Sequence, residues 1–518
     1  MTGRPPRPFS RHLRHRGDAT GRRLHPTFVL TRLAQKPAPA NSKNNIPASK
    51  LNRSVPLILA VALFMENMDS TVIATSLPAI AHDIGTSPIA LKLALTSYLL
   101  SLAVFIPLSG WAADRFGAKK IFRIAIGVFI LGSIACALSG SLVDFVFARF
   151  VQGLGGAMMT PVARLVLVRA TPKRELVAAM AWLTVPALVG PLVGPPVGGF
   201  ITTYFSWHWI FLINVPIGLA GIWVAGRVLP EIAPLGARPI DVAGFLLSAF
   251  AASGVVFGLS VVSMPALPPV IGVVTLVIGI ACGIAYVRHA RRVANPILDP
   301  AVFANPTFRA GIIGGSIFRI GVGAVPFLLP LMFQLGFGLT PFESGSLTFA
   351  SALGAILMKF LAPATLRLGG FRTVLIVAAL AASFFIGVNG WFTALTPTAV
   401  IIAVLVGSGF LRSMFFTSTN ALVFADIDEK EASQATAISA VSQQISVAVG
   451  VALAGVILES FIYLTGEALG QPAFSTAFII VGIVTAFGAV PFLRLPADAG
   501  SSVSGHRVIR DTGEAARS

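Results

Sequence analysis

The chain has 518 residues, of which 55% are hydrophobic and only 11% charged, and its formal net charge is +18. Soluble globular domains carry about 25% charged residues, so this composition excludes an ordinary soluble protein and predicts an integral membrane protein. The basic residues are scattered between apolar runs, which indicates membrane orientation rather than nucleic-acid binding. Cys136 and Cys282 both lie inside apolar runs and indicate neither a disulfide framework nor a metal site.

Residues 1–54 precede the first apolar run and are rich in Arg, Pro and Asn. A segment of this kind cannot bury enough apolar surface to fold, so we expect a disordered basic cytoplasmic tail. Its composition also fits an organelle transit peptide, or a start codon assigned too far upstream.

Fourteen apolar segments follow: six within 55–228, two at 241–262 and 268–287, and six within 310–493. About 20 apolar residues cross a bilayer as a helix, so the pattern predicts an all-α protein with fourteen transmembrane helices. Basic residues concentrate in alternate loops, which predicts that both termini are cytoplasmic.

The first span contains two acids, Glu66 and Asp69, three residues apart and therefore on one helix face. A carboxylate inside a membrane is costly unless it is paired, hydrated or protonated, so both are candidate proton-binding groups. The alternative is that hydroxyls such as Ser70 and Thr71 satisfy the pair and that it has no role in transport.

The segment between the second and third spans combines glycines, one acid and several bases: Gly110, Asp114, Arg115, Gly117, Lys119 and Lys120. The glycines allow close helix approach and a tight turn, and Asp114 can cap or pair with a neighbouring helix end. The alternative is a generic hairpin with cytoplasmic bases.

A weaker copy of this segment lies 252 residues later, at 362–374. Arg367, Gly369 and Arg372 repeat the pattern, but Leu366 stands where Asp114 is expected. Paired loops of this kind predict two related six-span halves with two spans inserted between them.

The fourth span contains Arg149 and Gln152. Counting about 1.5 Å per residue places Arg149 and Asp69 at similar depth, roughly 10 Å below the outer surface, so the two could meet. The fifth span carries a run of small and cyclic residues: Gly190, Pro191, Gly194, Pro195, Gly198 and Gly199. Glycines four residues apart allow close helix packing, and the prolines make the segment bendable.

The second half places Arg319 and Arg412 near the bilayer midplane. An unpaired cation at that depth is expensive, so both are candidate ligands for an anionic substrate. The alternative is that they pair with backbone carbonyls, or with Glu66 and Asp69 across a cleft.

The loop at 110–120, the Arg149 and Gln152 pair and the Gly/Pro run resemble signature motifs of the major facilitator superfamily. Six spans, two and then six resemble its fourteen-span drug/proton antiporter branch, the EmrB/QacA type. The resemblance implies proton coupling through Asp69, Glu66 and Arg149. It also implies a cytoplasmic gate formed by the loop at 110–120, and a fifth-span antiporter motif typical of exporters.

The sequence therefore predicts a major facilitator fold with a six-helix bundle at 55–228, two inserted helices and linkers at 229–309, a second bundle at 310–495 and a cytoplasmic tail at 496–518. We expect a proton-coupled multidrug exporter in a bacterial inner membrane, associated with antibiotic resistance, whose partners are a small-molecule substrate and protons. The expectation leaves room for a periplasmic adaptor. No catalytic, nucleotide-binding or metal-ligand pattern appears, so we expect neither an enzyme nor a cofactor. An exporter of an organic anion or a citrate-like metal-chelate acid is the alternative, and a receptor or channel is a further one.

Overall fold

In the computed structural model, residues 54–504 are described apart from 173–174, 233–238, 263, 265–266, 429–430 and 497. Side chains are described for these residues except 177–178, 181, 184–185, 187–188, 362–363, 502 and 504. The two predicted tails therefore lie outside the described residues, apart from Ser54, Pro496 and 498–504.

The described residues form helices and no strand. The helices before the inserted pair are α1 (Ser54–Val72), α2 (Leu77–Asp83), α3 (Lys92–Phe116), α4 (Ala118–Ala137), α5 (Leu142–Ala170), α6 (Leu176–Tyr204), α7 (Trp209–Leu212) and α8 (Asn214–Val228). The inserted pair is α9 (Val242–Val261) and α10 (Pro269–Ala290). The remaining helices are α11 (Pro306–Leu331), α12 (Pro341–Val388), α13 (Thr398–Ala425), α14 (Ala432–Thr465), α15 (Gln471–Ala486), α16 (Val490–Leu493) and α17 (Ser501–Ser504).

Thirteen stretches within the described part of the chain are long and apolar enough to cross a membrane, and α12, which bends at Gly370, supplies two of them. The 29-residue helix α6 is additional to these thirteen. The residue types predict these helices, because a long apolar segment in lipid can form all of its backbone hydrogen bonds internally only as a helix.

Polar side chains set several helix starts. Ser141 accepts a hydrogen bond from the Asp144 amide at the start of α5, and Thr340 and Glu343 form a reciprocal capping box at the start of α12. Each satisfies backbone donors that the first helical turn leaves without a partner.

The first set of helices packs against the last mainly through α6 with α12 and α3 with α14. Helix α6 also packs against α1. On α6, a Cβ at Gly190 would lie 2.9 Å from the Phe64 carbonyl of α1, and one at Gly198 would lie 2.5 Å from the Val72 carbonyl. The glycines of the run therefore allow the close packing that was predicted, and the run itself is one continuous helix. The domain boundaries at 228, 309 and 495 stay a prediction.

The inserted helices α9 and α10 pack on each other through facing glycines, with Gly254 against Gly279. Asp241 caps α9 by accepting from the Gly244 amide at 2.8 Å, and its carboxylate also lies 2.8 Å from His289 Nε2 at the end of α10. Burial raises the pKa of the Asp241 carboxyl, but these hydrogen bonds outweigh burial and hold the pKa below its usual range. The contact ties the two helices together at one end.

The internal repeat is visible as two glycine turns, but in a different register from the sequence alignment. Gly117 turns the chain between α3 and α4 with φ +90°, as predicted, whereas in the second copy the residue with positive φ is Gly370, at +64°. The alignment had matched Gly117 to Gly369, so it was wrong by one residue. Only the backbone shows which of two adjacent glycines takes the left-handed conformation.

Candidate functional site

Asp69 of α1 lies in a buried polar network with residues of α5 and α8. Arg149 Nη1 donates to Asp69 Oδ2 at 2.6 Å, and the two residues are only 1% and 2% exposed. Gln152 Nε2 donates to Asp69 Oδ1 at 2.8 Å, and Asn214 Nδ2 donates to the same oxygen at 3.0 Å. The carboxylate thus accepts from three side chains, so its negative charge is compensated inside the protein.

Neighbouring side chains fix the orientation of these donors. Gln152 accepts from Arg149 Nη1 at 2.6 Å and donates to Ser133 Oγ of α4 at 2.8 Å. The Arg149 guanidinium lies 4.2 Å from the ring centroid of Tyr98 on α3, a cation–π contact. Five helices therefore hold one ion pair. The predicted meeting of Asp69 and Arg149 is present, whereas Asn214 and Ser133 were missed, and their only sequence signal is a polar side chain inside an apolar run.

Glu66 lies one turn before Asp69 but has different surroundings. Its side chain is half-buried, and its Oε2 accepts from Thr160 Oγ1 of α5 at 2.7 Å. Ser70 and Thr71, which were considered as partners for the acids, donate instead to backbone carbonyls of α1. Glu66 is therefore a second membrane acid that is less enclosed than Asp69.

The residues of the predicted gate surround the Gly117 turn, and two of them make ion pairs. Arg169, at the end of α5, donates to Asp114 Oδ1 at 2.7 Å, and Lys119 Nζ lies 2.9 Å from Glu231 Oε1. Arg115 and Lys120 are exposed, and no acid in the described residues pairs with either. A Cβ at Gly110 would meet nothing within 4 Å, so the expected close helix approach at that glycine is wrong. The helix surface there faces open space.

A second buried ion pair lies at the other end of α3. Lys92 Nζ contacts Glu459 Oε2 of α14 at 2.5 Å, with side-chain exposures of 0% and 9%. Neither Lys92 nor Glu459 was among the site residues predicted from the sequence. The two residues are 367 positions apart, and each by itself is typical of a helix terminus.

A central cavity of about 350 Å³ lies between α1 and α6 on one side and α11, α12 and α13 on the other. Arg412 and Lys359 line it, and the described lining residues include no acid. The Arg412 Nε is buried and has no hydrogen-bond partner among the described residues.

Arg319 of α11 is buried outside this lining. Its Nη2 donates to Asn420 Oδ1 of α13 at 3.3 Å, and its guanidinium lies 5.0 Å from the ring centroid of Phe416. Neither Arg319 nor Arg412 contacts Glu66 or Asp69, because those acids bind Thr160 and Arg149. The alternative of charge pairing across the cleft is therefore not what the structure shows.

Among the described residues, no group of His, Cys, Asp and Glu side chains is arranged to hold a metal ion. The chemistry that this site can perform is ion pairing, proton binding and the binding of a charged ligand.

The chain matches the Major Facilitator Superfamily over residues 59–298 and 311–511. The "Probable transport protein HsrA" of Haemophilus influenzae is 37% identical over 433 residues, which cover 83% of this chain and 93% of that protein. The "Putative multidrug resistance protein MdtD" of Yersinia enterocolitica is 34% identical over 454 residues, covering 86% and 95%.

Solved transporters share the fold at low sequence identity. A D-xylose-proton symporter superposes with a TM-score of 0.62 at 16% identity, over 86% of this chain and 98% of that one. A mutant of the nucleoside transporter NupG gives a TM-score of 0.60 at 12% identity, over 85% and 99%. At these identities the likeness shows the fold alone.

These matches define a multi-pass membrane transporter with the major facilitator fold, which confirms the predicted fold class. The chain belongs to the Major Facilitator Superfamily. It acts on small molecules in a lipid bilayer and is a transporter, not an enzyme. Membership of the fourteen-span antiporter branch and the roles of the site residues stay predictions.

Proposed function

We propose that the chain is a proton-coupled efflux antiporter of the multidrug type, working by alternating access in a bacterial inner membrane with both termini in the cytoplasm. The observation that carries the proposal is the Asp69 carboxylate, buried and held by Arg149, Gln152 and Asn214. The relative named as a multidrug resistance protein supports the choice of substrate type.

The network couples proton binding to helix packing. An unprotonated Asp69 is stabilised where Arg149 and two amides surround it, as in this structure. Protonation removes the negative charge and leaves Arg149 buried without a counter-ion, which is expensive in a dry interior. A second conformation, in which Arg149 is hydrated or separated from Asp69, is then favoured. Because the proton binds the two conformations with different affinity, proton binding shifts the equilibrium between them.

Glu66 is the second acid in this proposal. Its half-buried position, one helical turn before Asp69, suits a group that exchanges protons with a vestibule and passes them to the enclosed site. The Thr160 hydroxyl holds it toward α5, the helix that also carries Arg149.

Alternating access would be controlled by contacts at the two ends of α3. The Lys92 and Glu459 pair joins α3 to α14 at one end, while the Asp114 and Arg169 pair joins α3 to α5 at the other. We assign the moving bodies to 55–228 and 310–495, with α9 and α10 in the connecting segment 229–309, as in the fourteen-span antiporter branch. The α6 glycines lie where α6 packs against α1 and α12, and would allow those surfaces to slide.

The test is transport into proteoliposomes under an imposed pH gradient. Fluorescent cations, neutral compounds and anions are tried on the wild type, and each compound that moves is then measured with Asp69→Asn. We expect gradient-driven accumulation to be lost while exchange without a gradient remains, because the substitution keeps the shape and removes the titrating group.

Asp144→Asn is the matched control, since Asp144 is exposed at the start of α5 and outside the network. Its accumulation is expected to equal that of the wild type. Full gradient-driven transport by Asp69→Asn would overturn the proton-coupling proposal.

A further inference from the structure

The central cavity has an unusual charge balance for a drug-sized site. Its described lining contains two cations, Lys359 and Arg412, and no carboxylate. Asp69, one of the counter-ions considered from the sequence, is engaged with Arg149. The positive charge facing the cavity is therefore not neutralised by its own walls.

Arg412 is the clearest sign that a ligand is needed. The side chain is half-buried, and no ion pair or side-chain hydrogen bond to it is found among the described residues, including at its buried Nε. A cation inside a membrane protein without an acid partner is costly and marks a functional site by default. A guanidinium presents parallel N–H donors that match a carboxylate or sulfonate.

Lys359 adds a second donor beside it. Its Nζ lies 3.2 Å from Thr417 Oγ1 on α13, a neutral partner that leaves its charge uncompensated. Both Lys359 and Arg412 line the cavity, so α12 and α13 each present a cation to it.

The rest of the wall is mostly apolar, with hydroxyls only at Thr71, Thr75, Thr348 and Ser351 among the described lining residues, and it limits the kind of anion that fits. The side chains are mostly aliphatic, aromatic or proline: Leu192, Pro195, Val325, Leu329, Phe349 and Ile356. A citrate-like polyanion would bring more charge than two cations neutralise and would lay polar groups on this wall. The volume of about 350 Å³ falls within the range of small-ligand pockets, about 300–1,000 Å³.

We propose that the central cavity binds amphipathic monoanions, with the carboxylate or sulfonate against Arg412 and Lys359 and an apolar body against α6, α11 and α12. This rests on the proposed function, because it names the substrate class of the transport pathway described above. It differs from a citrate-like substrate in requiring one charge and a hydrophobic body.

The experiment measures binding to the purified full chain in neutral detergent, without any pH gradient. The probes are 2-naphthoate, 2-naphthylmethanol and 2-naphthylmethylammonium, which share one apolar body and differ in charge. We expect 2-naphthoate to bind at least 10-fold more tightly than the other two. Arg412→Gln should remove at least 10-fold of that affinity and change the affinity for the neutral alcohol less than 2-fold.

Two variants separate a bound charge from a merely structural effect. Arg412→Lys should recover part of the naphthoate affinity, because it restores the positive charge. Arg227→Gln should leave it unchanged, because Arg227 stacks on Trp223 at the end of α8, away from the cavity lining. Equal affinities for all three probes, or naphthoate binding unaffected by Arg412→Gln, would overturn the proposal.

A repeat in nanodiscs distinguishes a soluble anion from a lipid headgroup. Equal naphthoate affinity in phosphatidylcholine and in phosphatidylglycerol discs is expected. Loss of binding in phosphatidylglycerol would mean that an anionic lipid occupies the site, and would overturn the assignment. Because this binding assay uses no pH gradient, its outcome is independent of the transport test with Asp69→Asn. A negative result in either experiment therefore does not change the interpretation of the other.

Discussion

Two arginines in the membrane-spanning helices of this transporter, the buried Arg149 and the half-buried Arg412, have opposite surroundings. Arg149 binds Asp69 and Gln152 and stacks on Tyr98, so its charge is balanced within the protein. Arg412 lines a cavity and, unlike Arg149, has no acid paired with it among the described residues. In our proposals one arginine is therefore half of an internal switch and the other is half of a binding site. What differs is whether the counter-charge belongs to the chain or has to arrive with a ligand.

The strongest test of this comparison is to replace each arginine by methionine. We expect Arg149→Met to lower the free energy of unfolding by about 3 kcal/mol, because it leaves the buried Asp69 carboxylate without its cation. Arg412→Met should be neutral or stabilising, because it removes a half-buried charge that no acid in the described structure compensates. Unfolding in mixed detergent micelles measures both.

Equal destabilisation by the two substitutions would contradict the comparison. Asp69→Asn combined with Arg149→Met controls for lost packing: the double variant should be more stable than Arg149→Met alone, because no buried carboxylate remains.

The Lys92 and Glu459 pair can be used to test whether another buried ion pair stabilises the protein as much as the Arg149 network does. A double-mutant cycle with Lys92→Met and Glu459→Met is expected to give a coupling energy of about 2 kcal/mol, since both side chains are buried. If the pair also closes one end of the pathway, transport should change in the double variant even where stability recovers. A coupling energy near zero would show that the contact has no energetic role.

Substitution of Gln152 measures how much of the stability difference between the Arg149 and Arg412 sites comes from hydrogen bonds rather than from charge. Gln152→Leu removes contacts to Asp69, Arg149 and Ser133, so we expect a loss of about 1–2 kcal/mol. Asn420→Leu is the matching substitution in the second half of the chain, where it removes one long hydrogen bond to Arg319. We expect it to lower the free energy of unfolding by less than Gln152→Leu does. The reverse order in thermal unfolding would mean that the network around Asp69 is not the better satisfied one.

The smallest effect is expected at the Gly117 turn. Asp114→Asn breaks a pair with Arg169 in which both side chains are partly exposed, so the loss of stability should stay below about 1 kcal/mol. Raising the salt concentration should reduce this difference further, because salt screens exposed charges. A loss comparable to that of Arg149→Met would show that this pair is as structurally important as the enclosed one.

Much of the fold could be predicted because a bilayer constrains a sequence so strongly. Apolar run length gave the helices, and the glycines at 117 and along α6 marked a turn and a close packing surface that the structure contains. The depth of Asp69 and Arg149 followed from counting residues along helices that were expected to run in opposite directions. The turn glycine of the second copy was placed one residue early, because Gly369 and Gly370 are equivalent in sequence.

Residue types by themselves determined that this chain crosses a membrane as helices, and they predicted that a few charged side chains in those helices carry its function. Only the tertiary structure decided their partners. It paired Asp69 with Arg149 and brought Asn214 and Ser133 beside them, joined Lys92 to Glu459, and left Arg412 facing a cavity. Helix formation depends on neighbours along the chain, whereas charge compensation depends on which helices pack together, and those contacts join residues far apart in the sequence.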